Sequence, residues 1–188
     1  MKNMKKTLPP KPWFFPRPVL LVSTRDAKGN DNIVTVSWAG VACTTPPMIT
    51  VSLRKSRSSH AALLASKEFV ANVPTAKQYE AVELCGTLSG KDTDKFAAGH
   101  LTKLPASVVA APLIAECPIN LECKVKHVLP LGSHDLFVAE IVKTHANHTL
   151  LRDDGRIDDT ALDCLAWGSE EFLRVLVRRS PLHVPRLQ

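Results

Sequence analysis

Short apolar runs closed off by proline, glycine and aspartate recur along the chain, and this punctuation limits what it can fold into. Val19-Leu20-Leu21-Val22 follows Pro16-Arg17-Pro18; Ile33-Val34-Thr35-Val36-Ser37-Trp38 follows Asp26-Ala27-Lys28-Gly29-Asn30. Runs this short, rich in β-branched residues and bounded by breakers, predict buried strands, the first two joined as a hairpin with a longer loop. Met48–Leu53, Phe69–Val73 and Leu136–Val142 read the same way. From Ile119 the pattern alternates: Ile119, Leu121, Cys123 and Val125 face one way, Asn120, Glu122, Lys124 and Lys126 the other. That predicts a strand buried on one face only. Six or seven strands with few helices predict a mostly β single domain, a barrel or a sandwich.

The helical segments are short. His60–Ala65 is rich in Ala and Leu, with Ser58 or Ser59 where an N-cap belongs. Ala76–Cys85 and Asp92–Ala98 read as helices, and Asp153-Asp154-Gly155 as a turn. Ser169, followed by Glu170 and Glu171, predicts the start of a last helix with Phe172, Leu173, Leu176 and Val177 on one face.

Charge and composition narrow the partners. The chain of 188 residues is 45% hydrophobic and carries +6, with basic residues spread along it and aromatics at only 5%. Nucleic-acid readers interleave cations with exposed aromatics, so no nucleic-acid partner is expected. Five cysteines without a CxxC pair argue against a disulfide framework or structural zinc, and for a reducing compartment, the cytoplasm. His145 and His148 lack a convincing third ligand, so no metal is expected. The basic N-terminus runs into Pro9, Pro10, Pro12 and Pro16 instead of the apolar core of a secretory signal. No stretch approaches the ~20 apolar residues of a membrane span.

Four segments can carry chemistry. Ser52-Leu53-Arg54-Lys55-Ser56-Arg57-Ser58-Ser59-His60 gathers three cations and four hydroxyls between a strand and a helix start. A phosphate dianion needs charge-assisted donors and free backbone N–H groups, which such a junction supplies; a solvated basic loop is the competing reading. Gly86–Lys91 has a P-loop flavour, but Lys91 is followed by Asp92, so nucleotide hydrolysis is not expected, and no GxGxxG occurs. His134, in Gly132-Ser133-His134-Asp135, is either a proton donor to a ligand or an ordinary turn residue. Trp38 is either the wall of a flat ligand or core.

Taken in order, Pro16-Arg17-Pro18-Val19, Asp31-Asn32 through Ser37-Trp38, Ser52–Lys55, Phe69–Pro74, Cys85–Asp92, Asp94-Lys95-Phe96, Ala111–Ile114, Asn120–Cys123 and Gly132–Phe137 resemble the flavin reductase-like, FMN-binding split-barrel family, especially its flavoredoxin-like branch. The resemblance covers residues 16–168, between an extended segment 1–15 and a tail 169–188 in which Phe172–Val175 echoes only part of the family's ending. It implies a six-stranded Greek-key split β-barrel, usually a homodimer, with non-covalent FMN near the subunit interface. It implies an oxidoreductase that passes electrons between NAD(P)H and flavin or a small acceptor, or else an electron carrier with tightly bound FMN and a protein redox partner. It assigns the phosphate to Arg54, Lys55, Ser56, Arg57, Ser58 and Ser59, and the isoalloxazine to Asn32, Thr35, Val36, Ser37 and Trp38. Ser89 belongs to a second loop at the cofactor, Lys95 is implied at the ring's N1/C2 edge, and His134 is implied to face the ring or the nicotinamide as the catalytic residue.

Overall fold

The computed structural model describes residues 5–175. Strands β1 (Leu20–Arg25) and β2 (Asp31–Val36) pair antiparallel from Leu20 opposite Val36 to Arg25 opposite Asp31. Their loop is tied by the Asp26 carboxylate, which accepts from the backbone N–H groups of Lys28 and Asn30, and Gly29 takes φ 84° there. The chain continues through β3 (Ala39–Thr44) and β4 (Pro47–Arg54), then α1 (Ser58–Ser66) and β5 (Glu68–Val73). Helices α2 (Tyr79–Thr87) and α3 (Lys95–Ala98) follow, and the long strands β6 (Ile119–Pro130) and β7 (His134–Ala146) complete the main sheet.

The seven strands lie in the order β2-β1-β5-β6-β7-β4-β3, every neighbouring pair antiparallel. The two ends of this row are consecutive in the chain, separated only by Ser37 and Trp38. At that corner the Trp38 carbonyl accepts from the Ser52 N–H of β4 at 2.8 Å. One bent run, residues 31–44, therefore supplies both edges of the sheet. Counted once, it leaves six strands, and the sheet curls into the split barrel that the resemblance implies. Sequence reasoning missed β3: Gly40 and Cys43 interrupt its pattern, half of its residues are exposed and none is buried.

The continuous apolar run in β1 follows from burial on both faces. Leu20 and Val22 point into the barrel with Val34, Val51, Phe69, Phe137 and Leu63 of α1. Val19 and Leu21 point outward, under Val82 and Cys85 of α2, with Phe96 and Ile114. Each fully buried Leu or Val contributes roughly 1.5–3 kcal/mol of transfer free energy.

Three expectations are corrected. The outer face of β6 is not solvated along its whole length: Asn120 and Glu122 are buried. The Asn72 amide oxygen accepts from Asn120 and from the Ile114 N–H, while Glu122 accepts from the N–H groups of Ser107, Val108 and Val109 and pairs with His145. A loop thus covers polar side chains that serve as its backbone partners. Second, residues 172–174 do not open a helix. The Gly168 N–H donates to Glu171 O, a hairpin turn, and Phe172–Arg174 pairs with Leu165–Trp167, which pairs in turn with Arg17–Pro18. Leu176 and Val177 lie outside the described residues. Third, neither Ser58 nor Ser59 caps α1: Arg57 holds the N-cap position without a side-chain bond, and the serine hydroxyls turn elsewhere.

Candidate functional site

The junction between β4 and α1 sits at the mouth of the barrel beside the corner of the bent strand. Asn32 on β2 donates through Nδ2 to Ser58 Oγ at 2.8 Å and to Ser59 Oγ at 2.9 Å. Each serine oxygen is thereby occupied as an acceptor, and neither O–H finds an acceptor among the described residues. Both hydroxyls are left as donors for something else. They line a cup of about 80 Å³ with Ser56, Arg57, Ser89 and Lys95. Asn32, expected along the flavin ring, orients the hydroxyls of this cup.

The cations divide the work. Arg54 makes no side-chain hydrogen bond among the described residues and faces a cavity of about 740 Å³. Arg57 donates through Nη2 to Gly86 O at 2.7 Å, tying the turn to the end of α2, and also lines the cup. Lys55 turns away, its Nζ 3.5 Å from Asp135 Oδ1. Lys95 is buried, with its ammonium donating to the carbonyls of Ile33 and Cys85, both at 2.9 Å. It lines the cup beside the serines. Burial pushes its pKa down.

The corner supplies an apolar wall. Val36, Ser37, Trp38, Arg54, Arg57 and His134 surround a pocket of about 160 Å³ that shares Thr35, Ser37, Arg54 and Arg57 with the large cavity. Trp38 and His134 stack with centroids 4.4 Å apart and planes 19° apart. His134 pairs across the ladder with Arg54, and its Nδ1 lies 2.9 Å from Ser133 Oγ. Burial, and the nearby Arg54 guanidinium, hold its pKa below the usual imidazole value. The His134 Nε2 has no hydrogen-bond partner among the described residues. Thr35 bonds Val82 O, fixing α2 against β2.

Sequence reasoning missed the far wall. Tyr79, Val82, Glu83 and Thr87 of α2, with Trp167 and Phe172 of the small sheet, close the large cavity. Trp167 and Phe172 meet edge to face with centroids 4.5 Å apart. Nothing in the order of the sequence brings residue 172 to residue 35; the pairing of Leu165–Trp167 with Arg17–Pro18 does so.

Comparison with known proteins agrees with this fold. The family model described as "Flavin reductase like domain" matches residues 14–161. An uncharacterized protein of Archaeoglobus fulgidus is 35% identical over 68% of this chain and 71% of its own. The NADH:riboflavin 5'-phosphate oxidoreductase of Streptomyces pristinaespiralis is 25% identical over 82% of this chain and 79% of its own. The solved flavoredoxin of Desulfovibrio vulgaris (Miyazaki F) superposes with a TM-score of 0.87 at 31% identity, covering 96% of this chain and 98% of that one.

Proposed function

The chain belongs to the flavin reductase-like domain family, and from that premise we propose that it binds FMN non-covalently and acts as an oxidoreductase passing electrons from NAD(P)H to flavin or a small acceptor. The observation that carries the cofactor reading is the pair of serine hydroxyls at Ser58 and Ser59, held as free donors by Asn32 in a cup floored by a buried ammonium. A phosphomonoester has the acceptor oxygens and negative charge that this cup lacks. Ser56, Arg57 and Ser89 complete the donor set.

Arg57 lines both the cup and the large cavity, and Arg54, which lines the large cavity and the pocket beside Trp38, is the cation we assign to the polar edge of a flat ring. Val36, Ser37 and Trp38 form one wall for that ring, and Trp167 with Phe172 forms the other. FMN, when bound, supplies the hydride and electron chemistry, and the protein supplies orientation and electrostatics. His134 is placed to donate or accept a hydrogen bond through Nε2 at the open side of the Trp38 stack. We read the assembly as a homodimer in the cytoplasm. Among the described residues no helix is long and apolar enough to cross a membrane.

The protein as purified is expected to show a flavin absorption spectrum and to oxidise NADH or NADPH when FMN is in excess. No nucleotide oxidation with any flavin would sink the enzyme reading. The match to the solved flavoredoxin favours a second reading, an electron carrier for a protein partner. Retention of FMN through dialysis with slow nicotinamide oxidation would select it.

A further inference from the structure

Asp135 is the second residue of β7, one past His134, and faces the opposite side of the sheet. The residue is 7% exposed, and its carboxylate reaches both flanks of the turn that follows β4. Oδ2 lies 2.8 Å from Nε2 of His60, a buried residue in the first turn of α1. Oδ1 has no hydrogen-bond partner among the described residues and sits 3.5 Å from the Lys55 ammonium. Phe137, two residues further along the same face of β7, meets the His60 ring edge to face at 5.6 Å. The plane of the imidazole and its contact nitrogen are thus both fixed from one strand.

We propose that Asp135, acting through His60 and Lys55, is a positioning residue for the anion cup: it clamps the entry and the exit of the turn 54–59 so that the hydroxyls of Ser56, Ser58 and Ser59 converge. The inference rests on the reading of that turn as the phosphate site. Elementary electrostatics gives the opposite expectation for such a carboxylate. A negative charge close to an anion site repels the anion, so neutralising it should tighten binding. Asp135 stands at a buried position where an unpaired charge is costly, and its partners flank the turn, Lys55 at its entry and His60 just past its exit. The geometry therefore favours support of the turn over direct interaction with the ligand.

The sign of one substitution separates the two effects. Affinities for FMN and for riboflavin, which lacks the phosphate, are measured by flavin fluorescence quenching for the wild type, Asp135→Asn, His60→Leu and His60→Gln, with thermal melting of each. Clamping predicts that Asp135→Asn and His60→Leu weaken FMN by on the order of tenfold, the scale seen when an outer support of a bound group is removed. Riboflavin affinity stays unchanged, and His60→Gln, which keeps a donor toward Asp135, stays near the wild type. Should Asp135→Asn fail to fold, the His60 pair decides by itself. FMN bound as tightly or more tightly by Asp135→Asn, or His60→Leu indistinguishable from His60→Gln, overturns the proposal. A wild type that does not prefer FMN over riboflavin overturns the phosphate reading itself, a different result from a wild-type preference that survives Asp135→Asn.

Discussion

Gly90 is the residue whose side chain can least be supplied by another amino acid. A Cβ there would stand 2.1 Å from Asn32 Oδ1, inside any van der Waals contact. Asn32 would have to move, and its bonds to Ser58 and Ser59 would move with it. Gly90→Ala is therefore expected to cost about 1–3 kcal/mol of stability by overpacking and to weaken FMN binding; urea unfolding and a flavin titration read the two effects separately, and an unchanged titration would show that Asn32 does not set the cup. Lys67 has the opposite defect. It ends α1 in the left-handed region at φ 59°, where its Cβ is strained. Lys67→Gly is expected to raise stability by about 0.5–1 kcal/mol, seen as a higher melting temperature. At this scale the site was half legible. The cluster of hydroxyls and cations from Ser52 to Ser59 marks the proposed phosphate site in the sequence, because those groups are contiguous. The division of labour among them is not announced. That Lys55 turns to Asp135, and that Lys95 is buried under two carbonyls, depends on residues 80 and 62 positions away.

Among the elements, β6 best shows how tertiary structure overrides a local pattern. Its alternation predicts a solvated face, yet Glu122 on that face is fully buried and caps three consecutive N–H groups of the loop 107–109. A covering loop is invisible to a period-two pattern, whereas strands with both faces apolar, such as β1, are read correctly because their partners need no special chemistry. Burial raises the Glu122 pKa, but its bonds from His145 and the three backbone N–H groups prevail and bring it down from 4.5 to about 2. The folded value lies below the unfolded one. The carboxylate's contribution, roughly 3 kcal/mol for a shift of that size, is complete above pH about 4.5 and is lost as pH falls toward 2. Glu122→Gln is expected to flatten the acid limb of the stability profile between those values and to destabilise the protein at pH 7, since an amide cannot accept all four bonds. Denaturant unfolding across pH 2–7 checks it; an acid limb parallel to the wild type's would assign the loss to other carboxylates.

For the whole molecule, the bent strand that closes the sheet also leaves an edge. Among the described residues the β3 half pairs only with β4, and it carries Val41 at 83% exposure, three residues after the exposed Trp38. Trp13 and Phe14 of the N-terminal segment are also exposed. A soluble protein usually blunts such an edge with charge or proline, or covers it. Here the side chains from Ala39 to Thr44 include no charge, so a cover is the consistent solution, and the proposed homodimer provides one. A second copy would bring its own surface to within a residue or two of Ser37 and Trp38, the wall of the proposed flavin pocket. In a two-fold interface a substitution counts twice. Losing the burial of one valine costs about 1.5 kcal/mol, so Val41→Lys is expected to cost about 3 kcal/mol of dimer stability and to raise the dissociation constant more than about a hundredfold. Sedimentation equilibrium should find the wild type at twice the chain mass and Val41→Lys shifted toward the monomer, with weaker FMN retention in the variant because one wall of its pocket has lost its support. A monomeric wild type would remove the second copy as the cover and leave the edge to be explained by a different partner.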